Sequence, residues 1–319
     1  MAAEPVLSVV IPFFNEEDNI EALFGRLLPA LRSLGRHFEV VCVDDGSRDR
    51  TLAMLLAKRA ANPEIVVKSF ARNFGQHAAV TAGLASARGA FVVTLDADLQ
   101  NPPEEVGKLV AQFDQGHDYV GTIRLDRDDS AFRKFASKIV SGTTRKMSGL
   151  PISDFGCMLR GYSRDIAHEI ARRHESRTFI PALGFLFSRN PCEIEVKHEA
   201  RHEGQSKYSL VSLFRLHLDL MTGFSVAPLR FLFTAGVAIA GLGFALFVYI
   251  LVMRILRGDE YTQGGVFTLF AILFLFVGAQ FVAFGLLGEY IGRILQTVRQ
   301  RPPYVLRETA EATEEARPR

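Results

Sequence analysis

The sequence predicts an α/β chain: a mostly parallel sheet with helices on both faces, followed by two transmembrane helices. Three observations carry this reading. Short apolar strands alternate with helical stretches through residue 123. Two long uncharged runs, 231–253 and 264–288, lie toward the C-terminus. Acidic and amide side chains gather where the strands end.

Residues 6–12 (VLSVVIP) are rich in β-branched side chains and predict a strand. Residues 16–34 place Ile20, Leu23, Leu27, Leu28 and Leu31 at helical spacing. A second strand, 38–43, is closed by Asp44, Asp45, Gly46 and Ser47. A helix over 51–61, a strand over 65–70, a helix over 75–87 and a strand over 90–95 follow. Residues 119–123 (YVGTI) read as a fifth strand, and Leu159 onward as helical. Strands this apolar, joined by helices, imply a parallel sheet covered on both faces. Ligands of such sheets sit outside the carboxyl ends of the strands. Those ends carry Asn15 and Glu16, Asp44 and Asp45, Arg72 and Asn73, and Asp96 and Asp98.

The uncharged runs are 23 and 25 residues long, and a bilayer core needs about 20 apolar helical residues. Two buried helices of a soluble core are the alternative. The ten-residue polar connection between the runs favours a membrane hairpin. MAAEPVLSVVIPFF lacks a basic n-region and is not a secretory signal, so residues 1–229 are expected in the cytosol. Two spans return the tail to the same side. Arg215 and Arg230 before the runs, and Arg293, Arg299, Arg301 and Arg307 after them, agree modestly with that orientation. The expected organisation is a catalytic domain over 1–208, an interfacial amphipathic helix and linker over 209–230, the hairpin over 231–290 and a cytosolic tail over 291–319. Residues 131–147 mix basic and apolar side chains, and fit either the membrane surface or a core helix. The charged stretch after Tyr304 matches no motif and is expected to be mobile.

Composition excludes several classes. The 319 residues carry 37 Lys and Arg against 35 Asp and Glu, a net charge of +2, so this is no nucleic-acid binder working by bulk charge. Apolar residues at 48% exclude a disordered chain. Cys42, Cys157 and Cys192 make neither a disulfide framework nor a zinc pattern, which suits a reducing compartment. The dinucleotide fingerprint and the P-loop are both absent, so phosphates must be held by a metal and side chains. Asp96 and Asp98, two apart at a strand end, can project to one side. Their hard oxygens suit Mg2+ or Mn2+. A solvated turn is the alternative for such a pair.

VIPFFNEE, VDDGSRD, ARNFGQHAA and TLDADLQNPPEE, in that order, resemble the family 2 inverting glycosyltransferases with a GT-A fold. DFGCMLR, RTFIP, EGQSKYS and GLLGEYIGR are similar to motifs of the polyprenyl-phosphate glycosyltransferases with two membrane spans. The QH after Asn73–Phe74–Gly75 and the NPPEE after Gln100 resemble the branch that transfers 4-deoxy-4-formamido-L-arabinose rather than glucose or mannose. The resemblance covers residues 6–305. It implies a GT-A (Rossmann-like) catalytic domain, a UDP-sugar donor, a polyprenyl (undecaprenyl) phosphate acceptor, and Mg2+ or Mn2+. It also implies membrane lipids as surroundings, a homo-oligomer with a tetramer as one form, and the bacterial inner membrane with the active site on the cytosolic side.

The same resemblance implies roles. Pro12, Asn15 and Glu16 line the uridine pocket with Ser47 close by, and Asp44 contacts the base. Asn73 and Gln100 lie at the donor, Asp96 faces the ribose and the metal, and Asp98 binds the metal. Asp154 occupies the catalytic position. The acceptor phosphate has a second pKa of about 6 and needs little help from a base. Asp154 is therefore a base, a group orienting acceptor or sugar, or a helix N-cap. Arg201 and Lys207 flank HEGQS, a loop expected to close over the diphosphate. Arg124, Arg133 and Lys134 are candidates for the lipid phosphate. His77 is a donor-site or a structural histidine.

Three functions compete. The first is transfer of the formamido-arabinose by a single inverting displacement. The second is the same chemistry with another UDP-sugar such as glucose. The third is a non-catalytic, membrane-anchored nucleotide-sugar scaffold.

Overall fold

The computed structural model describes residues 5–124, 152–154, 156–172, 180–199, 227–257, 266–299 and 304–310. The chain divides into two compact units, Met1–Leu213 with Gln300–Arg319, and Phe214–Arg299.

The first unit is an α/β domain. In chain order it contains β1 (Leu7–Phe13), α1 (Ile20–Ser33), β2 (Phe38–Asp44), α2 (Thr51–Ala61), β3 (Ile65–Phe70), α3 (Gln76–Ser86) and β4 (Phe91–Thr94). A 3-10 turn, Pro103–Glu105, leads into α4 (Val106–Asp114). β5 (Tyr119–Arg124), β6 (Arg160–Ser163), α5 (Arg164–Arg172), α6 (Ile180–Phe187) and β7 (Pro191–Val196) follow, and β8 (Leu306–Ala310) comes from the end of the chain. The eight strands form one sheet in the order β7-β5-β6-β4-β1-β2-β3-β8.

β1 lies between β2 and β4, parallel to both, and β2 is parallel to β3. β6 runs antiparallel to both β4 and β5, so β5 again points the same way as β4. The carboxyl ends of β1 to β5 therefore share one rim of the sheet. Side chains alternate across the pleat. Leu7, Val9, Ile11 and Phe13 join one core with the α1 residues Ile20, Leu23, Phe24, Leu27, Leu28 and Leu31. That helical stripe recurs every three or four residues, and burying each such side chain stabilises the fold by about 1.5–3 kcal/mol. On the opposite face α3 approaches closely: a Cβ at Gly83 would lie 2.2 Å from a Val10 methyl.

The early elements coincide with the sequence reading to within a few residues at their ends. Farther along, three strands depart from it. Residues 160–163 are a strand, where Leu159 onward had read as helical. The helix waits until Arg164, which removes the N-cap role for Asp154. Tyr162 and Arg160 pack inside the sheet, and this burial overrides local helical propensity. β7 has a weak apolar pattern and was not anticipated. β8 lies in the tail expected to be mobile. It pairs antiparallel with β3, and backbone pairing needs no apolar motif.

In the second unit the described residues form α7 (Ala227–Arg257) and α8 (Val266–Arg299), of 31 and 34 residues. At Gly243 the two helices come together, a Cβ there meeting the Phe276 ring at 3.8 Å. Among the described residues, no helix is long and apolar enough to cross a membrane. The expected spans therefore rest on the full uncharged runs of the sequence. The stretches 131–147 and 209–223 lie outside the described residues, as do Arg133, Lys134, Arg201 and Lys207.

Candidate active site

Five strand ends build the rim. After β1 the chain turns sharply at Asn15, whose φ of 54° is rare outside glycine. Hydrogen bonds to the next strand-end loop hold this turn. The Asn15 amide donates to Ser47 Oγ (3.0 Å), the Arg48 amide to Asn15 Oδ1 (2.9 Å) and the Glu16 amide to Thr51 Oγ1 (2.9 Å). Glu16 also accepts from Asn19 Nδ2 at 2.6 Å. Pro12 is half-buried at the end of β1. The structure thus brings Pro12, Asn15, Glu16 and Ser47 together.

At the end of β2 two buried carboxylates divide the work. Asp44 accepts from the Ser47 amide (3.2 Å) and from Ser69 Oγ on β3 (2.8 Å). Asp45 accepts from the Phe74 amide (2.7 Å) and the Gly75 amide (2.8 Å). Burial pushes the Asp45 carboxyl up, the two amides oppose this, and the Asp44 charge adds to the rise. The chain packs tightly here, since a Cβ at Gly46 would lie 2.4 Å from the Arg72 carbonyl carbon. Gly46 also has φ 67°, so glycine is required twice over. The sequence placed Asp45 on the rim without a role, and the structure gives it one as the anchor of the loop after β3. Its signal was present in the doubled acid before glycine, but which acid faces the neighbouring loop is a matter of register.

Arg72 and Asn73 are exposed on the loop after β3. The Arg72 guanidinium lies over the Phe74 ring, 4.6 Å from its centroid. Gly75, at φ 97°, opens α3, and Gln76 Nε2 donates to Asp96 Oδ1 at 2.8 Å. Gln76 is a contributor not anticipated, and it ties the third strand end to the fourth. His77 is exposed in the first turn of α3.

Beyond β4, Asp96 and Asp98 are partly exposed on either side of buried Ala97. The Gln100 amide donates to Asp98 Oδ1 at 3.2 Å, closing a short turn. Leu99 within it has φ 61°. Among the described residues, the positive-φ positions outside glycine are Asn15 and Leu99, both on this rim. Strained backbone of this kind costs about 1–3 kcal/mol and clusters at functional sites. Gln100 also uses its carbonyl, which accepts from the Glu199 amide at 2.9 Å.

The fifth strand end carries an ion pair. Arg124 donates from Nε to Asp154 Oδ2 (2.7 Å) and from Nη2 to Oδ1 (2.9 Å). Both side chains are largely buried. Gly156 leaves room for the fork, for a Cβ there would meet Arg124 Nη2 at 2.7 Å. The Asp154 main chain is held from inside by Arg160, which is 1% exposed. Arg160 donates to the carbonyls of Asp154 and Cys157, and to the Tyr119 hydroxyl at 2.5 Å. Arg160 was not singled out from sequence. A buried cation satisfied by neutral acceptors leaves no pattern in a chain read alone. Cys157 is buried against Thr122, burial pushes its thiol up, and the three cysteines are free.

Asp96 and Asp98 offer two hard oxygen donors. Among the described residues no group of three His, Cys, Asp or Glu could hold a metal alone. Two carboxylates leave coordination positions for water and phosphate oxygens, which is how Mg2+ is commonly held. The residues present fit such an ion bound jointly with a diphosphate.

Glycosyl transferase family 2 matches residues 8–171, and the GtrB C-terminal hairpin family matches residues 227–294. The chain is 48% identical over 310 residues to the undecaprenyl-phosphate 4-deoxy-4-formamido-L-arabinose transferase of Edwardsiella ictaluri, covering 97% of this chain and 95% of that one. The protein of the same name from Pectobacterium atrosepticum is 49% identical over 308 residues, covering 96% and 94%. Among solved structures, glucosyl-3-phosphoglycerate synthase from Mycobacterium tuberculosis, in complex with phosphoglyceric acid, aligns with a TM-score of 0.48 and 18% identity. That alignment covers 69% of this chain and 80% of the other.

Proposed function

The chain belongs to glycosyl transferase family 2, and we propose that this glycosyltransferase moves 4-deoxy-4-formamido-L-arabinose from a UDP-sugar to undecaprenyl phosphate. The near full-length likeness to transferases named for that sugar and undecaprenyl phosphate supports the sugar and the acceptor. The observation that carries the reading is the rim itself: donor-type side chains from four strand ends and the Arg124–Asp154 pair from a fifth, all facing the same end of one sheet.

The reaction is a single displacement. An oxygen of the lipid phosphate attacks the anomeric carbon, the carbon–oxygen bond to UDP breaks, and the electron pair leaves with UDP. The anomeric configuration inverts. Asn15, Glu16, Asp44, Ser47, Asn73 and Gln100 form the nucleotide side of the site, with Pro12 as an apolar wall. Asp96 and Asp98 would hold Mg2+ or Mn2+, which when bound neutralises charge building on the departing diphosphate. Arg201 and Lys207 supply further positive charge to the same leaving group.

The geometry favours an orienting role for Asp154. A carboxylate with both oxygens on one guanidinium is a poor base, and a phosphate acceptor already ionised at neutral pH needs none. Asp154 holds Arg124 in place as a bidentate receptor for the lipid phosphate, with Arg133 and Lys134 nearby in sequence as further candidates. The α7–α8 hairpin is the membrane anchor. Its sequence holds two uncharged runs, and Phe231, Phe233, Ile255, Phe281 and Phe284 are exposed on it, a surface suited to lipid. Residues before and after the hairpin belong to the same unit, which supports two crossings. The placement is the bacterial inner membrane with the rim on the cytosolic side, in a homo-oligomer.

The test is mass spectrometry of the lipid made by the purified full-length protein from undecaprenyl phosphate and a panel of UDP-sugars. A formamido-arabinosyl product is expected. A glucosyl product would move the enzyme to the second reading, and donor binding without any lipid product would point to a scaffold.

A further inference from the structure

β8, the last described strand, reaches the donor side of the rim, and nothing in the nucleotide-binding roles above uses it. β8 pairs with the edge strand β3 in the register Phe70↔Leu306, Ser69↔Glu308, Lys68↔Thr309 and Val67↔Ala310. The pairing runs on past the strand, as the Ala71 amide donates to the Val305 carbonyl at 3.0 Å. Tyr304, half-buried, then stacks on Phe70 with centroids 4.9 Å apart and planes 12° from parallel. Phe70 meets Phe74 edge to face at 5.7 Å, and Phe74 in turn carries the Arg72 guanidinium. From the opposite side Asp45 grips the Phe74 and Gly75 amides.

The loop of residues 71–75 is thus held between a carboxylate from β2 and an aromatic stack from the chain terminus. Its exposed residues include Arg72 and Asn73, on the rim assigned to the nucleotide. Free of the stack, the loop would keep the Asp45 grip and the Ala71–Val305 hydrogen bond but lose the ring that backs Phe70, and ordering its exposed residues would fall more to the ligand, at an entropic cost.

We propose that Tyr304 is a positioning residue for the nucleoside diphosphate, and that β8 completes the donor site by fixing residues 71–75. The inference rests on the donor reading above. Tyr304 touches no substrate and acts through Phe70 and Phe74. Its ring does the work, so the hydroxyl is dispensable. In sequence, four residues separate it from Arg299, the end of α8.

The experiment uses full-length protein in detergent, with UDP as the probe. UDP affinity is measured by calorimetry, amide exchange over residues 71–76 by mass spectrometry, and steady-state kinetics with the accepted UDP-sugar. Loss of one aromatic stack in Tyr304→Ala should weaken UDP binding about three- to tenfold. The donor KM should rise by the same factor, kcat and the acceptor KM should hold, and exchange at Phe74 and Gly75 should speed up. Tyr304→Phe should match the wild type in every readout. If Tyr304→Ala does not fold, Tyr304→Leu carries the same test. Unchanged UDP affinity in a variant with faster exchange overturns the proposal, as does a Tyr304→Phe variant as weak as Tyr304→Ala. A wild type that binds no UDP defeats the donor reading itself, and that failure is visible before any variant is made.

Discussion

The two ends of the same sheet both bury carboxylates, yet use them differently. At the amino ends of the strands Glu39 is 2% exposed. It accepts from Ser8 Oγ (2.6 Å), from the Arg88 amide (2.7 Å) and from Arg88 Nε (2.9 Å), while Ser8 Oγ in turn accepts from the Gly89 amide. Asp118, at the start of β5, accepts from Ser188 Oγ and the amides of Arg189 and Asn190. These acids close gaps between elements. At the carboxyl ends Asp44 and Asp45 hold loops whose outer side chains face the rim, and Asp96 and Asp98 are partly exposed. The backbone is relaxed at the first end and left-handed at Asn15 and Leu99 at the second. Burial alone therefore does not separate the two ends. What differs is that Asp45, at the carboxyl ends, fixes a loop whose exposed side chains include Arg72 and Asn73.

Asp98→Ala offers the largest effect by which to test this contrast. Transfer should fall by about 1,000-fold or more with the melting temperature nearly unchanged, because the role proposed for the residue is to hold the ion at the leaving diphosphate rather than to support the fold. Near wild-type turnover with saturating Mg2+ or Mn2+ would erase the distinction between the two ends. Arg124→Lys comes next. It removes the bidentate fork, and kcat should drop about 100-fold. In the same series Asp154→Asn should slow transfer while leaving the acid limb of the pH–rate profile in place, since that limb belongs to the acceptor phosphate. A limb that vanishes in Asp154→Asn would make Asp154 a base.

Glu39→Ala moves the effect from rate to stability. It strands the Ser8 hydroxyl and the Arg88 amide, so unfolding in urea should come about 1–3 kcal/mol more easily. The kcat of the folded fraction should be that of the wild type. The smallest effects are in pH dependence, and there the ends have opposite signs. Burial would raise Asp118, but the Ser188 hydroxyl and the two amides outweigh it and hold the carboxyl below its ordinary value. Its contribution to stability is present above the unfolded-state value and lost as pH falls through the lowered one. Asp45 is raised, so its contribution is full below the unfolded-state value and lost as pH rises through the raised one. Melting curves across the acid range should therefore flatten in opposite directions for Asp118→Asn and Asp45→Asn. Parallel changes in the two would show that the ends do not differ.

The parallel core was legible because β1, β2 and β3 are apolar nearly throughout and the helices between them keep a three-to-four-residue stripe. The rim was legible for the same reason: once the strands are parallel, whatever follows each one must share an end. β6 was not legible. Its four residues include Arg160 and Gly161, and only a partner on either side makes such a segment a strand. The roles of Asp45, Gln76 and Arg160 were not legible because their work is to hold other residues, and their main partners are distant in the chain.

What the sequence determined by itself was local or periodic: apolar runs, glycine turns, doubled acids and two uncharged stretches. Each depends on neighbours a few residues away, where steric preference and burial act directly. Tertiary structure alone decided that Asp154 faces Arg124, that Asp45 and Tyr304 hold the same loop from opposite sides, and that the charged tail returns as an edge strand. These contacts close loops of 30 to more than 200 residues. Their geometry is set by strand order and register, quantities that no short stretch of chain encodes.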